Sequence, residues 1–245
     1  MEAKKIMDRL QSAESLVEQD VGEFSRFKGK MMTIGARSCR VGDWGVLSFL
    51  ESRGMAGLLR RDMLVLNSCV KDIPVLVMQY MSLPGRRLLQ IHVLDVMKDK
   101  TAAVRFLPLE KIVEASGAAV QKMPEEWYSD RELPGSVAVT GGKDLLARLA
   151  EDVAVGYLTA AAQIRNTGAV EGRYLRLRKF MEQLFDHGGF GYDAIRVCLK
   201  QEKTELLYSK WLFGVEEPPV NDRKEEKTEP DRTESADTGS DIRDI

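Results

Sequence analysis

The amino-acid sequence predicts an α+β chain, a three-layer αβα sandwich around a central, mainly antiparallel sheet. Three observations carry this. Apolar runs at 63–70 (MLVLNSCV), 74–83 (PVLVMQYMSL) and 87–97 (RLLQIHVLDVM) follow one another closely. Their joins, Lys71-Asp72-Ile73 and Pro84-Gly85-Arg86, are too short for parallel crossovers, which need about a dozen residues, so the three strands are antiparallel neighbours. Each run is apolar on both of its faces, which predicts cover on both sides of the sheet.

The flanking elements follow from periodicity. Ile6, Leu10, Ala13, Leu16 and Val17 form one helical stripe over residues 3–19. Residues 30–41 read as a strand after a turn at Gly29. The stretch 44–53 (WGVLSFLESR) reads as a short helix, with Asp43 as N-cap and Gly54 as its end. Beyond the three strands, residues 104–107 read as a short strand and 109–115 as a helix. Gly117, Pro124, Pro134 and Gly135 mark 116–135 as a loop, and 136–140 as a further short strand follows it. Residues 145–164 are apolar around most of a helical circumference, which predicts a helix in the middle of the body. Helices are predicted at 170–186, broken by Gly188-Gly189, and at 192–213, ending at Gly214.

Charge divides the chain. Residues 216–245 hold eleven acids against five bases, a net charge of −6 within a whole-chain charge of −2, so residues 1–215 carry +4. The terminal segment has no aromatic residue and few aliphatic ones. Such a segment cannot bury enough apolar surface to offset its ordering entropy. The expectation is one globular domain over 1–215 and a disordered, solubilising acidic tail over 216–245. No apolar run approaches the length that spans a bilayer, and the first fifteen residues lack the apolar core of a secretory signal. Three cysteines without CxxC spacing and two histidines argue against a disulfide framework or a Cys/His metal centre. A mildly basic body with no nucleic-acid-binding motif argues against that partner. A cytoplasmic location and a reducing compartment are expected.

Chemistry enters through polar residues on otherwise apolar strands. Asn67 interrupts the first run, Gln79 the second, and Gln90, His92 and Asp95 the third. Gln90 and His92 share a face by the two-residue period. On a covered face such groups either bond one another or line a wet cavity. For His92 the alternatives are a satisfied core histidine or a proton donor. For Asn67 and Gln79 they are a structural amide network or a cavity lining. Arg173, Arg176, Arg178 and Lys179 on the helix 170–186 form a solvated face, or a docking patch for an acidic protein or for ligand carboxylates. Gly141-Gly142-Lys143 lacks the spacing of a phosphate loop, and Cys69 and Cys198 have no assigned base.

In order and local texture, most of residues 21–213 resembles the ferredoxin-dependent bilin reductases, αβα sandwiches that reduce linear tetrapyrroles. The run 29–39 (GKMMTIGARSC) looks like their early strand, whose Arg falls at Arg37. The run 63–68 (MLVLNS) looks like the strand whose functional His or Asn falls at Asn67, and 73–81 (IPVLVMQYM) like their central strand. The segment 123–139 (MPEEWYSDRELPGSVAV) is similar to their Pro-x-Trp segment. The run 200–204 (KQEKT) is similar to an Asn-Asp-Lys-Thr run whose Asp falls at Glu202. The resemblance implies an oxidoreductase that takes electrons from a ferredoxin-type iron–sulfur protein, binds a linear tetrapyrrole and needs no bound flavin or metal. It implies catalytic roles at His92 and Glu202 and substrate contacts at Asn67, Gln79 and Arg37. The family's proton-handling Asp falls at Gln79, whose amide cannot serve as an acid or base. Three readings therefore stand open: a bilin reductase in which His92 takes the proton role, a member of the fold that binds a tetrapyrrole or other apolar ligand without chemistry, and a protein-interaction module.

Overall fold

The structure, a computed structural model, describes residues 3–11, 15–54, 58–68, 70–96, 109–165 and 170–215. The elements in chain order are α1 (Ala3–Gln11), β1 (Leu16–Gln19), β2 (Phe27–Lys28), β3 (Met32–Val41), β4 (Gly45–Gly54), β5 (Arg60–Asn67), β6 (Val75–Leu83) and β7 (Arg86–Leu94). They continue with α2 (Leu109–Ser116), β8 (Ala119–Gln121), β9 (Val137–Thr140), α3 (Lys143–Gln163), α4 (Val170–His187), α5 (Tyr192–Leu199) and α6 (Gln201–Leu206). A π-helical segment, Leu207–Leu212, closes the series. The strands form one sheet in the order β1-β3-β4-β5-β6-β7-β9-β8, with β2 also pairing β3, and every pairing is antiparallel.

Side chains alternate across the sheet, and both faces are covered. On one face α1, α2 and α3 enclose Leu10, Leu109, Leu149 and Leu158 against Leu64, Met78 and Ile91. Each leucine buried there contributes about 1.5–3 kcal/mol relative to exposure. On the other face α4, α5 and the π-helical segment set Leu177, Phe180, Tyr192 and Tyr208 against Met63, Val65 and Val77. This is the expected three-layer α+β sandwich.

Three expected elements differ. Residues 44–53 are strand, not helix: β4 pairs with β3 in a ten-residue register and with β5 on its other side. Its apolar residues fit a helical stripe as well as a two-faced strand, and the two neighbouring strands decide between them. The helix over 3–19 stops at Gln11. Leu16 and Val17 instead pair with Val41 and Arg40, and Val17 is exposed. The helix over 192–213 is broken at Lys200, which takes φ +69°. That turn lets the following segment lie along the sheet, where its end opens into π geometry and Phe213 N–H donates to Tyr208 O at 2.9 Å. The loop 116–135 also contains the short strand β8 and a 3-10 turn at Ser129–Arg131. The strand expected at 104–107 and the acidic segment 216–245 lie outside the described residues. Among the described residues no helix is long and apolar enough to cross a membrane, and no group of three or more His, Cys, Asp or Glu could hold a metal ion.

Candidate functional site

The face toward α4, α5 and the π-helical segment carries the unusual polar groups. Alternation sends Arg61, Met63, Val65 and Asn67 of β5 to this face. Register then sets Val65 beside Val77 and His92, and Met63 beside Gln79 and Gln90. Paired residues on neighbouring antiparallel strands share a face. Gln79 and His92 therefore point to the same side.

His92 is 1% exposed. Its Nδ1 lies 2.7 Å from Glu132 Oε1, and its Nε2 is buried with no hydrogen-bond partner among the described residues. Tyr128 and Phe190 meet the ring edge-on, at centroid distances of 5.6 and 5.3 Å, and stack on each other at 4.4 Å. Burial, then the nearby carboxylates of Glu126 and Glu132, raise the Tyr128 phenol far above its usual range, so it stays neutral. Phe190 sits in the turn 188–191, and each of its four residues has positive φ, Phe190 itself at +47°. Glycine takes such angles readily, whereas a phenylalanine held there is strained.

Two further buried atoms on the strands of this face lack partners among the described residues, as does Tyr192 Oη on the covering helix α5. Asn67, 1% exposed, donates from Nδ2 to Phe213 O at 2.7 Å, while its Oδ1 accepts nothing among the described residues. Arg61 has a buried Nε without a partner, and its Nη2 contacts Met81 Sδ at 3.7 Å. Buried polar atoms are normally paired, and each one that is not needs an explanation. Here an imidazole nitrogen, an amide oxygen and a guanidinium share one wall. Some of the wall's polarity is structural: Ser48 Oγ donates to Trp211 O at 2.5 Å, and with Asn67 it satisfies carbonyls that the end of the π-helical segment leaves open.

Clefts open at two edges of this wall. One, of about 410 Å³, is floored by Leu88, Gln90 and Ala138 and rimmed by Arg86, Gln121 and Lys122. Gln90 is the cross-strand partner of Gln79 and stands two residues from His92 on the same face. The other, of about 490 Å³, includes Asn67, Trp44, Arg40 and Lys210. Between them the wall over His92 is filled by Tyr128 and Phe190.

The other expected residues are placed apart. Arg37 lies on the opposite face of β3, beside Phe49, and is exposed. Glu202 is exposed in the first turn of α6. Within the basic run of α4, Arg176, Arg178 and Lys179 are exposed, whereas Arg173 is buried and donates to Ser68 O and Ile73 O, clamping the β5–β6 connection. Sequence reasoning missed Glu132, Arg61, Tyr128 and Phe190. In the run GGFG at 188–191, the pair Gly188-Gly189 reads as a helix break. The run's single non-glycine residue between glycines was the available signal.

No protein-family profile and no curated protein sequence matches the chain. Among solved structures it is similar to the phytochromobilin synthase of tomato, crystallised in complex with biliverdin, with a TM-score of 0.68 and 9% sequence identity. The likeness covers 86% of this chain and 81% of that one. At that identity it carries the fold alone: this chain has a distant bilin-reductase-like architecture.

Proposed function

We propose that the chain is a bilin-reductase-like oxidoreductase that holds a linear tetrapyrrole against the sheet, beneath α4, α5 and the π-helical segment. The observation that carries this is that three buried polar atoms of the sheet wall, His92 Nε2, Asn67 Oδ1 and Arg61 Nε, have no partner among the described residues. A linear tetrapyrrole matches that set: apolar rings for the aromatic and aliphatic lining, N–H groups for Asn67 Oδ1, and a carboxylate for a guanidinium. The cleft beside Gln90 falls within the roughly 300–1,000 Å³ of small-molecule sites and adjoins this wall. The fold shared with a biliverdin-bound protein supports the same reading.

In this reading His92 handles protons, because Gln79 can hydrogen-bond but cannot act as an acid or base. Phe190 must swing away for rings to lie over His92, and its strained turn lowers the cost of leaving. Electrons come from a ferredoxin-type iron–sulfur protein, for which exposed Arg176, Arg178 and Lys179 form a complementary basic patch. Glu202 and Arg37 lie at the protein surface, outside this wall.

The test is spectroscopic. Adding biliverdin to the purified protein should shift its absorbance bands with saturation at one equivalent. Anaerobic addition of reduced ferredoxin should then bleach or shift those bands. Absence of any spectral change with biliverdin refutes the proposal. Binding without reduction assigns the chain to ligand binding alone.

A further inference from the structure

The environment of His92 goes further than its identity. Residues 131–133 are strapped to the end of β7: Asp95 N–H donates to Arg131 O at 2.9 Å, Leu133 N–H donates to Val93 O at 2.9 Å, and Glu132 bridges Leu94. The carboxylate of Glu132 is thus delivered to His92 Nδ1 by backbone bonds on both sides. Its side chain is 14% exposed, so solvent screens the 2.7 Å contact little. Tyr128 and Phe190 meet the ring edge-on and fix its plane. Buried polar atoms are usually hydrogen-bonded, whereas here Nδ1 is held and Nε2 has no partner among the described residues.

We infer that Glu132 is the positioning residue for His92, accepting its Nδ1–H so that Nε2 is the atom that meets the ligand. The inference rests on the reading of this wall as a bilin site. In the reduction the ligand gains two electrons, one at a time, from an iron–sulfur-class donor, and two protons. His92 as imidazolium donates a proton from Nε2, becomes neutral with its remaining proton on Nδ1, and regains the Nε2 proton from water before the second transfer. Glu132 holds Nδ1 throughout. It stabilises the imidazolium and dictates which nitrogen is bare afterwards.

The full-length protein and its Glu132→Gln, Glu132→Asp and His92→Gln variants test this. In ¹⁵N spectra of the wild type, the neutral His92 ring should carry its proton on Nδ1. With biliverdin and reduced ferredoxin, Glu132→Gln should lower kcat about tenfold or more with KM changed by less than about threefold, Glu132→Asp should retain part of the rate, and His92→Gln should lose more than Glu132→Gln. A neutral ring protonated on Nε2, or an unchanged kcat in Glu132→Gln, overturns the inference. If the wild type neither binds nor reduces biliverdin, the functional reading fails, and the ¹⁵N spectrum still decides whether Glu132 sets the tautomer.

Discussion

On the sheet face covered by α1, α2 and α3, several buried polar groups are satisfied. Tyr157 Oη donates to Pro74 O at 2.5 Å, Lys71 Nζ donates to the carbonyls of Ala161 and Ala162 at 3.0 Å, and Asp62 pairs with Arg60 at 2.7 Å. On the opposite face the same strands present Arg61, Asn67 and His92 with buried atoms unpaired, beneath a turn of four positive-φ residues and a π-helical segment. A protein with marginal net stability tolerates unpaired buried groups only where something else offsets them. The first face stabilises the fold, and the second carries the buried polar atoms that the proposed function uses. Strain and unmet hydrogen bonds gather where binding can relieve them.

The largest expected effect belongs to the first face. Leu158 is fully buried in α3, and Leu158→Ala should cost about 2–5 kcal/mol in urea unfolding without altering the affinity for biliverdin measured where the variant is folded. A smaller loss than that of Met63→Ala on the second face would erase the contrast between the faces.

Arg61→Met sharpens the contrast from the other side. The substitution removes a buried Nε with no partner among the described residues, together with the long Nη2 contact to Met81 Sδ, so stability should change by less than about 1 kcal/mol. Biliverdin binding should weaken about tenfold, the value of one charge-assisted contact. A destabilised variant with unaltered binding would make Arg61 a structural residue.

The smallest effect concerns pH. Burial on the first face, with a contribution from Glu18 and partial relief from Arg37, raises the Cys39 thiol to about 11 from an ordinary value of 9.0. The neutral thiol is favoured by the folded state. Its contribution is fully present below pH 9 and is lost as pH rises from about 9 to about 11, where the unfolded chain releases the proton first. Cys39→Ala should therefore flatten the fall in urea midpoint across that window. An identical slope in variant and wild type would assign the alkaline limb to buried Tyr157 and Tyr208, both also raised by burial.

Periodicity and loop length made much of the architecture legible. The short joins around β6 required antiparallel neighbours, and the two-faced apolar strands required two covering layers. β4 escaped because ten residues with Val46, Leu47, Phe49 and Leu50 satisfy both a helical and an extended pattern. Asn67, Gln79 and His92 were legible as polar interruptions of apolar runs, and their common face depended on a register that sequence leaves open.

The sequence by itself determined the α+β class, the central antiparallel strands and the polar positions on them, since these follow from spacing along a few consecutive residues. Only the tertiary structure decided what those positions can do. Glu132 reaches His92 across 40 residues, and Asn67 reaches Phe213 across 146. Separations of that size carry no local pattern. The contacts exist because backbone pairing in the sheet and burial of the covering helices bring distant segments together, and the chemistry of the wall follows from that assembly.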